Sequence, residues 1–224
     1  VCTAQLPERL FPYAGLQIPS KTNILALLYE APFEWVNGEP LPLTLDRVPS
    51  QANGDLRLEA VAVQRGQTVV DSEGRLAVYQ PGLNVRPSGC RSAECAVVWD
   101  GEQALQLDQM VVRFRLREDL TWSDGTRVTG VDSVFSFQLA NDPAAPGLHW
   151  AEDRTENYEA IDAQTVQWSG RPGFTTTDIE SFFWTLLPAH LFEGRMGWME
   201  VVNDESLAFS PISYGRFMVQ AREA

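Results

Sequence analysis

The stretch TWSDGTRVTGVDSVFSFQLANDP, residues 121–143, holds an Asp-Gly turn, a helix start and an apolar run in one short span. Asp124-Gly125 sits between β-prone flanks, and a type I′ hairpin turn suits this dipeptide because both of its central residues need positive φ. Thr129 follows as a helix N-cap with Asp132 three residues on as the capping-box acid. Val131, Val134, Phe135 and Leu139 then recur as a buried stripe until Asn141-Asp142-Pro143 ends the helix. Immediately upstream, MVVRFRLRED (110–119) alternates: Val112, Phe114 and Leu116 face one way, Arg113, Arg115 and Arg117 the other. That pattern predicts a strand with one core face and one wet face. Strand, sharp turn and capped helix are therefore expected in sequence here.

Working outward, SKTNILALLYEAPF (20–33) places Ile24, Leu27, Leu28 and Ala31 at helical spacing. Ser20 or Thr22 is expected as the cap and Pro32 as the stop, giving an amphipathic helix of about three turns. From Trp35 to Gln109 short β-prone runs alternate with Pro and Gly. TVVDSEGRLAVYQPGLNV (68–85), with a polar turn at Asp71–Gly74, reads as a hairpin, and so does CAVVWDGEQALQL (95–107) around Asp100-Gly101. HWAEDRTENYEAID (149–162) reads as a solvated acidic loop and TVQWSG (165–170) as a strand. DIESFFWTLLPAHLF (178–192) reads as one or two helical turns broken at Pro188, and YGRFMVQA (214–221) as a final strand. Helices mixed with hairpins, without internal repeats, predict a mixed α/β (α+β) architecture.

The balance of charge narrows the partners. Against 30 acidic residues stand 17 basic ones, every one an Arg except Lys21, for a net charge of −13. No basic run offers phosphates a landing surface, so nucleic acid is not expected as a partner, and anionic lipid would repel this surface. The most apolar window, FFWTLLPAHLF (182–192), falls well short of the roughly 20 residues a membrane-spanning helix needs. Any export signal or lipid anchor is expected upstream of Val1.

Catalytic patterns are sparse. Neither of the two histidines, His149 and His190, lies beside a nucleophile motif, and no glycine-rich loop accompanies the single lysine. No enzyme activity and no cofactor or metal are expected. Cys90 and Cys95 lie in a Gly/Ser-containing loop and are read as a local disulfide, which points to an oxidising compartment. The same residues leave open two unpaired thiols, or a zinc site that would need two further ligands.

The run FRLREDLTWSDGT followed by VTGVDSVFSF resembles the signature of the extracellular solute-binding proteins of family 5, the oligopeptide-, dipeptide- and nickel-binding subunits of ABC importers. Other segments resemble that family in the same order: ERLFPY (8–13) its L-D-P stretch, ILALLYEAPF (24–33) its Y-E-G-L helix end, GEPLPLTLDRVPS (38–50) its P-x-L-A strand, and PISYGRFMVQ (211–220) its P-x-G-T-G-P-Y strand.

The resemblance implies a class II periplasmic-binding-protein-like fold in which this chain is an N-terminal portion. Residues 1–35 and 182–224 would be parts of the first ligand-binding lobe. Residues 36–181 would form a β-rich accessory subdomain carrying an insertion at 68–109, and the second lobe and the C-terminal return would lie outside the chain. It further implies an extracytoplasmic, monomeric protein, lipid-anchored or secreted, that captures a small oligomeric solute, peptide or oligosaccharide, and delivers it to an ABC permease. A cell-surface adhesion or scaffold module built on the same fold is the alternative. In peptide binders of the family the loop before the first helix approaches the ligand and can carry an acid. Here that loop, YAGLQIPSK (13–21), has none, and Tyr13, Gln17 and Ser20 are its candidate contacts.

Overall fold

The computed structural model describes residues 7–13, 18–146, 149–192 and 197–220. The first helix, α1 (Pro19–Leu28), starts without a side-chain cap. Pro19 takes a first-turn position, where its missing N–H is no loss, so neither Ser20 nor Thr22 acts as N-cap. The helix stops before Pro32, because Tyr29 is already extended (φ −130°, ψ 99°) and its hydroxyl donates to Ile212 O at 3.1 Å. Lys21 is buried along with Leu28, while Ala31 of the expected stripe is exposed. The remote segment that covers the helix selects its inner face.

Next comes a two-stranded hairpin, β1 (Phe33–Val36) and β2 (Glu39–Pro42), with Val36 opposite Glu39. Its two-residue loop is Asn37-Gly38, with φ 54° and 84°. This is where two successive positive φ values occur, the requirement of a type I′ turn.

The central sheet has four strands, all antiparallel, in the order β3 (Leu56–Ala62), β8 (Gln106–Arg115), β10 (Thr165–Gly170), β9 (Thr155–Ala160). The alternation read in 110–119 is realised on β8: Val112 and Phe114, and Leu116 just beyond, are buried while Arg115 is exposed. β9 and the short helix α3 (Trp150–Asp153) occupy the region expected to be a solvated loop. Pairing with β10 and burial of Tyr158 and Thr155 outweigh the acidic composition, since the acids fall on the outward positions of β9.

Between β3 and β8 the chain forms two small pairs, β4 (Thr68–Val70) with β5 (Leu76–Val78), and β6 (Asn84–Val85) with β7 (Val97–Val98). The first is the expected hairpin. The second replaces the hairpin expected around Asp100-Gly101: there the Asp100 carboxylate accepts the N–H of Glu102 and Gln103, and Trp99 Nε1 donates to Gln103 O. A small core of Val69, Tyr79, Val85, Trp99 and Leu107 holds the pairs to β8, with the Tyr79 and Trp99 rings stacked 4.0 Å apart. Cys90 and Cys95 form a disulfide in the loop between β6 and β7.

The signature region closes the layers. Trp122 N–H donates to Thr126 O and Gly125 N–H to Trp122 O, and Gly125 has φ +90°. Asp124 is not in the left-handed region, so the expected type I′ turn is instead a three-residue loop ending on a left-handed glycine. The helix α2 (Gly130–Ala140) follows with N-cap Thr129, whose backbone N–H is accepted by Asp132 at 2.8 Å. Its buried face is Asp132, Ser133, Phe135, Ser136 and Leu139, whereas Val131 is 56% exposed. Burial of two serines turns the face by about one residue, roughly 100°, from the apolar reading, because Ser133 Oγ donates to Trp184 O at 2.7 Å and pairs with Tyr158 Oη at 2.6 Å.

Residues 178–192 contain 3-10 turns at Glu180–Phe182 and Ala189–Leu191, with buried Phe182, Phe183, Trp184, Leu186 and Leu187 between and around them. Two short helices, α4 (Trp198–Val202) and α5 (Glu205–Phe209), precede the return segment 211–220, which is irregular rather than the expected strand. The main core joins Leu10, Leu28 and Tyr29 to Val112, Phe114, Val166 and Trp168 of the sheet and to Phe182–Leu186. A second cluster packs Phe135 and Leu139 of α2 on Phe11, Phe192 and Trp198. Among the described residues no helix is long and apolar enough to cross a membrane.

Candidate functional site

The return segment meets the end of α1 at backbone distance. Gly215 N–H donates to Leu28 O at 2.8 Å, satisfying a carbonyl that a helix end leaves open. A Cβ on residue 215 would lie 2.6 Å from Leu27 O and 2.7 Å from Leu28 O, so only glycine allows this approach. On either side, Tyr29 and Tyr214 make reciprocal hydrogen bonds: Tyr29 Oη donates to Ile212 O, Tyr214 Oη donates to Glu30 O, and the rings pack edge to face at 5.7 Å. Arg216 Nε donates to the Glu30 carboxylate at 2.9 Å. Burial pushes both phenols up, keeping them neutral donors.

The signature loop sets the return segment from beneath. Ser123 N–H donates to Ser213 O at 2.8 Å, and Trp122 packs edge-on against Tyr214 at 5.3 Å. Asp132 reaches the other wall: its carboxylate accepts Ala189 N–H at 3.0 Å and its backbone carbonyl accepts Leu187 N–H at 3.3 Å, holding the end of the irregular run Phe183–Leu187. His190 Nε2 sits 2.9 Å from Asp124 on the outer side of the same contact.

These contacts frame a cleft of about 570 Å³ between α1, β1, the run 180–185 and Arg216-Phe217. Leu27, Tyr29, Phe183 and Phe217 supply its apolar wall, and Glu30, Glu34 and Glu180 its carboxylates. Arg216 neutralises Glu30. Glu180 and Glu34 make no ion pair among the described residues, and burial, with Asp178 beside it, pushes the Glu180 carboxyl up. The cleft is thus complementary to a ligand group that is cationic and partly apolar, such as an amine with hydrocarbon flanks. A second, larger cleft of about 830 Å³ lies beside the β1–β2 hairpin and shares Glu180 with the first. Among the described residues no cluster of three or more His, Cys, Asp and Glu could hold a metal ion.

Of the contacts expected from the loop before α1, Gln17 lies outside the described residues. Tyr13 points inward: its hydroxyl donates to Thr185 O at 3.2 Å and its ring packs on Phe11 at 6.1 Å. It stands behind the cleft wall that Thr185 forms. Ser20 Oγ is buried at the start of α1 and has no hydrogen-bond partner among the described residues. Neither Tyr13 nor Ser20 lines the two clefts. The acids that do line the smaller one, Glu30, Glu34 and Glu180, were not singled out from sequence. Among 30 acidic residues only the Y-E pair at the helix end marked one of them.

The fold is a mixed α/β framework with an apolar cleft edged by fixed charge. The family model "Bacterial extracellular solute-binding proteins, family 5 Middle" matches residues 102–224, and the chain belongs to this family. It is similar in structure to the oligopeptide-binding protein of Thermus thermophilus complexed with pentapeptide (TM-score 0.62, 16% identity), covering 98% of this chain and 34% of that one. It is also similar to Listeria monocytogenes OppA bound to peptide (TM-score 0.53, 16% identity; 95% and 34%). A third likeness is to NikZ of Campylobacter jejuni in complex with Ni(L-His) (TM-score 0.55, 14% identity; 98% and 32%). The chain therefore spans about a third of the length of these proteins. No curated protein matches it in sequence.

Proposed function

We propose that this chain supplies part of the first lobe of a substrate-binding subunit of an ABC importer, without enzymatic activity, which captures a peptide or related cationic solute outside the cytoplasm. The observation that carries this reading is the cleft between α1, β1, the run 180–185 and Arg216-Phe217, with Glu34 and Glu180 left to pair with a ligand cation. Residues 1–35 and 182–224 belong on this reading to the lobe and residues 36–181 to the accessory subdomain. The second lobe closes over the ligand, so contacts on both lobes favour the closed state and the complex is delivered to a membrane permease. The Cys90–Cys95 disulfide supports an oxidising compartment.

The test is calorimetric titration with tri- to pentapeptides, against both the 224-residue chain and a chain carrying the second lobe. Sub-micromolar binding is expected in the two-lobed protein alone, weakened about tenfold by Glu180→Gln through loss of one charged partner. An unchanged affinity in that variant, or equal binding of N-acetylated peptides, would overturn the role of the cleft.

A further inference from the structure

A further cleft, which shares no lining residue with the proposed lobe cleft, lies where the 68–109 region meets the strap that follows β10. There Arg86, Arg91, Asp108 and the run Thr175–Thr177 line a cleft of about 580 Å³. Its acceptors are already taken. The Asp108 carboxylate accepts Ser88 Oγ at 2.6 Å and Gly89 N–H at 3.3 Å, and it pairs with Arg91 Nη1. Its donors are not. Arg86 is exposed and makes no hydrogen bond or ion pair among the described residues. Arg91 spends only Nη1 on Asp108 and Cys90 O, leaving Nε and Nη2. The hydroxyls of Thr175 and Thr177 and the backbone N–H groups of Thr175–Thr177 donate to no acceptor among the described residues.

Two guanidiniums against one saturated carboxylate leave this cleft locally positive on a chain of net charge −13. Surplus donors and positive charge select an acceptor-only anion, and a guanidinium fork fits a carboxylate in particular. The cleft is not closed on its far side. Leu58 and Thr175–Thr177 also line the larger cleft beside the β1–β2 hairpin, where Trp35, Leu56 and Met110 supply an apolar wall. Trp35 is 65% exposed there, a large apolar surface left facing water. Head and body sites are thus contiguous across one strap.

We propose that this strap is a binding site for a free carboxylate joined to an apolar body, the carboxylate held by Arg86, Arg91 and the threonines and the body laid along Leu58 towards Met110 and Trp35. Two sources carry that chemistry, the carboxy terminus of an apolar peptide and a fatty acid.

The experiment titrates the 224-residue protein, followed by calorimetry and amide NMR, with the tripeptide Ala-Ala-Leu, its carboxy-terminal amide, and dodecanoate. At least one free acid is expected to bind and to shift the amides of Thr175–Thr177, and which one does so names the source. The amide, and the free acid against Arg86→Gln, are each expected to bind about tenfold more weakly, the loss of one charge-assisted contact. Thr177→Val is the second variant, for use if Arg86→Gln lowers thermal stability. Binding by neither acid, equal binding of acid and amide, shifts confined to residues outside the strap, or unchanged affinity in the variants would each overturn the proposal.

Discussion

The Asp132 carboxylate on α2 accepts the backbone N–H of Ala189 at 3.0 Å, 57 residues along the chain, while its other oxygen accepts Thr129 N–H at 2.8 Å. One side chain therefore caps its own helix and pins the segment that walls the cleft. Asp132→Ala leaves a half-buried Ala189 N–H and a helix-cap N–H without this acceptor, so a loss of about 2–3 kcal/mol is expected. Urea unfolding measures it, with exposed Val131→Ala as the control, and equal midpoints for the two variants would refute the dual role.

Gly215→Ala is expected to separate the return segment from α1. Its Cβ meets two main-chain oxygens that cannot rotate away, so a destabilisation of about 1–3 kcal/mol follows from overpacking. Hydrogen exchange should rise at residues 212–217 more than in β8. Protection unchanged at those positions would show that the contact is dispensable.

The carboxylates divide by sign in their response to pH. Burial works to raise Asp71 and Asp108, but backbone N–H groups, Ser88 and the neighbouring arginines outweigh it and hold both below the usual carboxylate range. Their contribution is present above the unfolded value of about 4 and is lost as pH falls through the depressed folded values. Asp132 is pushed up by burial, so its titration opposes this: stability it adds below about pH 4 declines as pH rises through its folded value. Asp108→Asn is expected to flatten the acid limb of a stability-against-pH curve, and Asp132→Asn to steepen it. Parallel curves for the two would contradict these assignments.

The Cys90–Cys95 bridge closes a short loop that presents Arg91 to Asp108. Its reduction is expected to cost roughly 2 kcal/mol on the chain-entropy estimate, and the intact protein should be two hydrogen masses, about 2 Da, lighter than the reduced one. Two free thiols in the non-reduced protein would dismiss the bridge.

Much of the fold was legible where a local signal and burial coincide. The alternation of Val112, Phe114 and Leu116 names the core face of β8, and Thr129 with Asp132 marks the start of α2. The signal failed where a distant partner decides. Ser133 and Ser136 are buried because Trp184, Tyr158 and the helix's own carbonyls satisfy their hydroxyls, so the helix turns its apolar Val131 outward. The type I′ turn fell at Asn37-Gly38 and not at Asp124-Gly125, although both dipeptides suit it. Only Val36 opposite Glu39 leaves a two-residue loop, whereas Trp122 and Thr126 bracket three.

The amino-acid order alone determined the family signature, the strand–turn–helix at its centre and the net negative charge, because these rest on periodicity, capping and composition within a few residues. The cleft belongs to the tertiary structure. Glu30, Glu34 and Glu180 are ordinary acids among many in the sequence, and they come to line one cleft only where α1, β1 and the run after Asp178 converge. Tyr13, a candidate contact from the sequence, turns inward, where Thr185 O accepts its hydroxyl. Long-range hydrogen bonding and burial, which no local pattern encodes, decided which polar groups line the cleft and which hold the wall behind it.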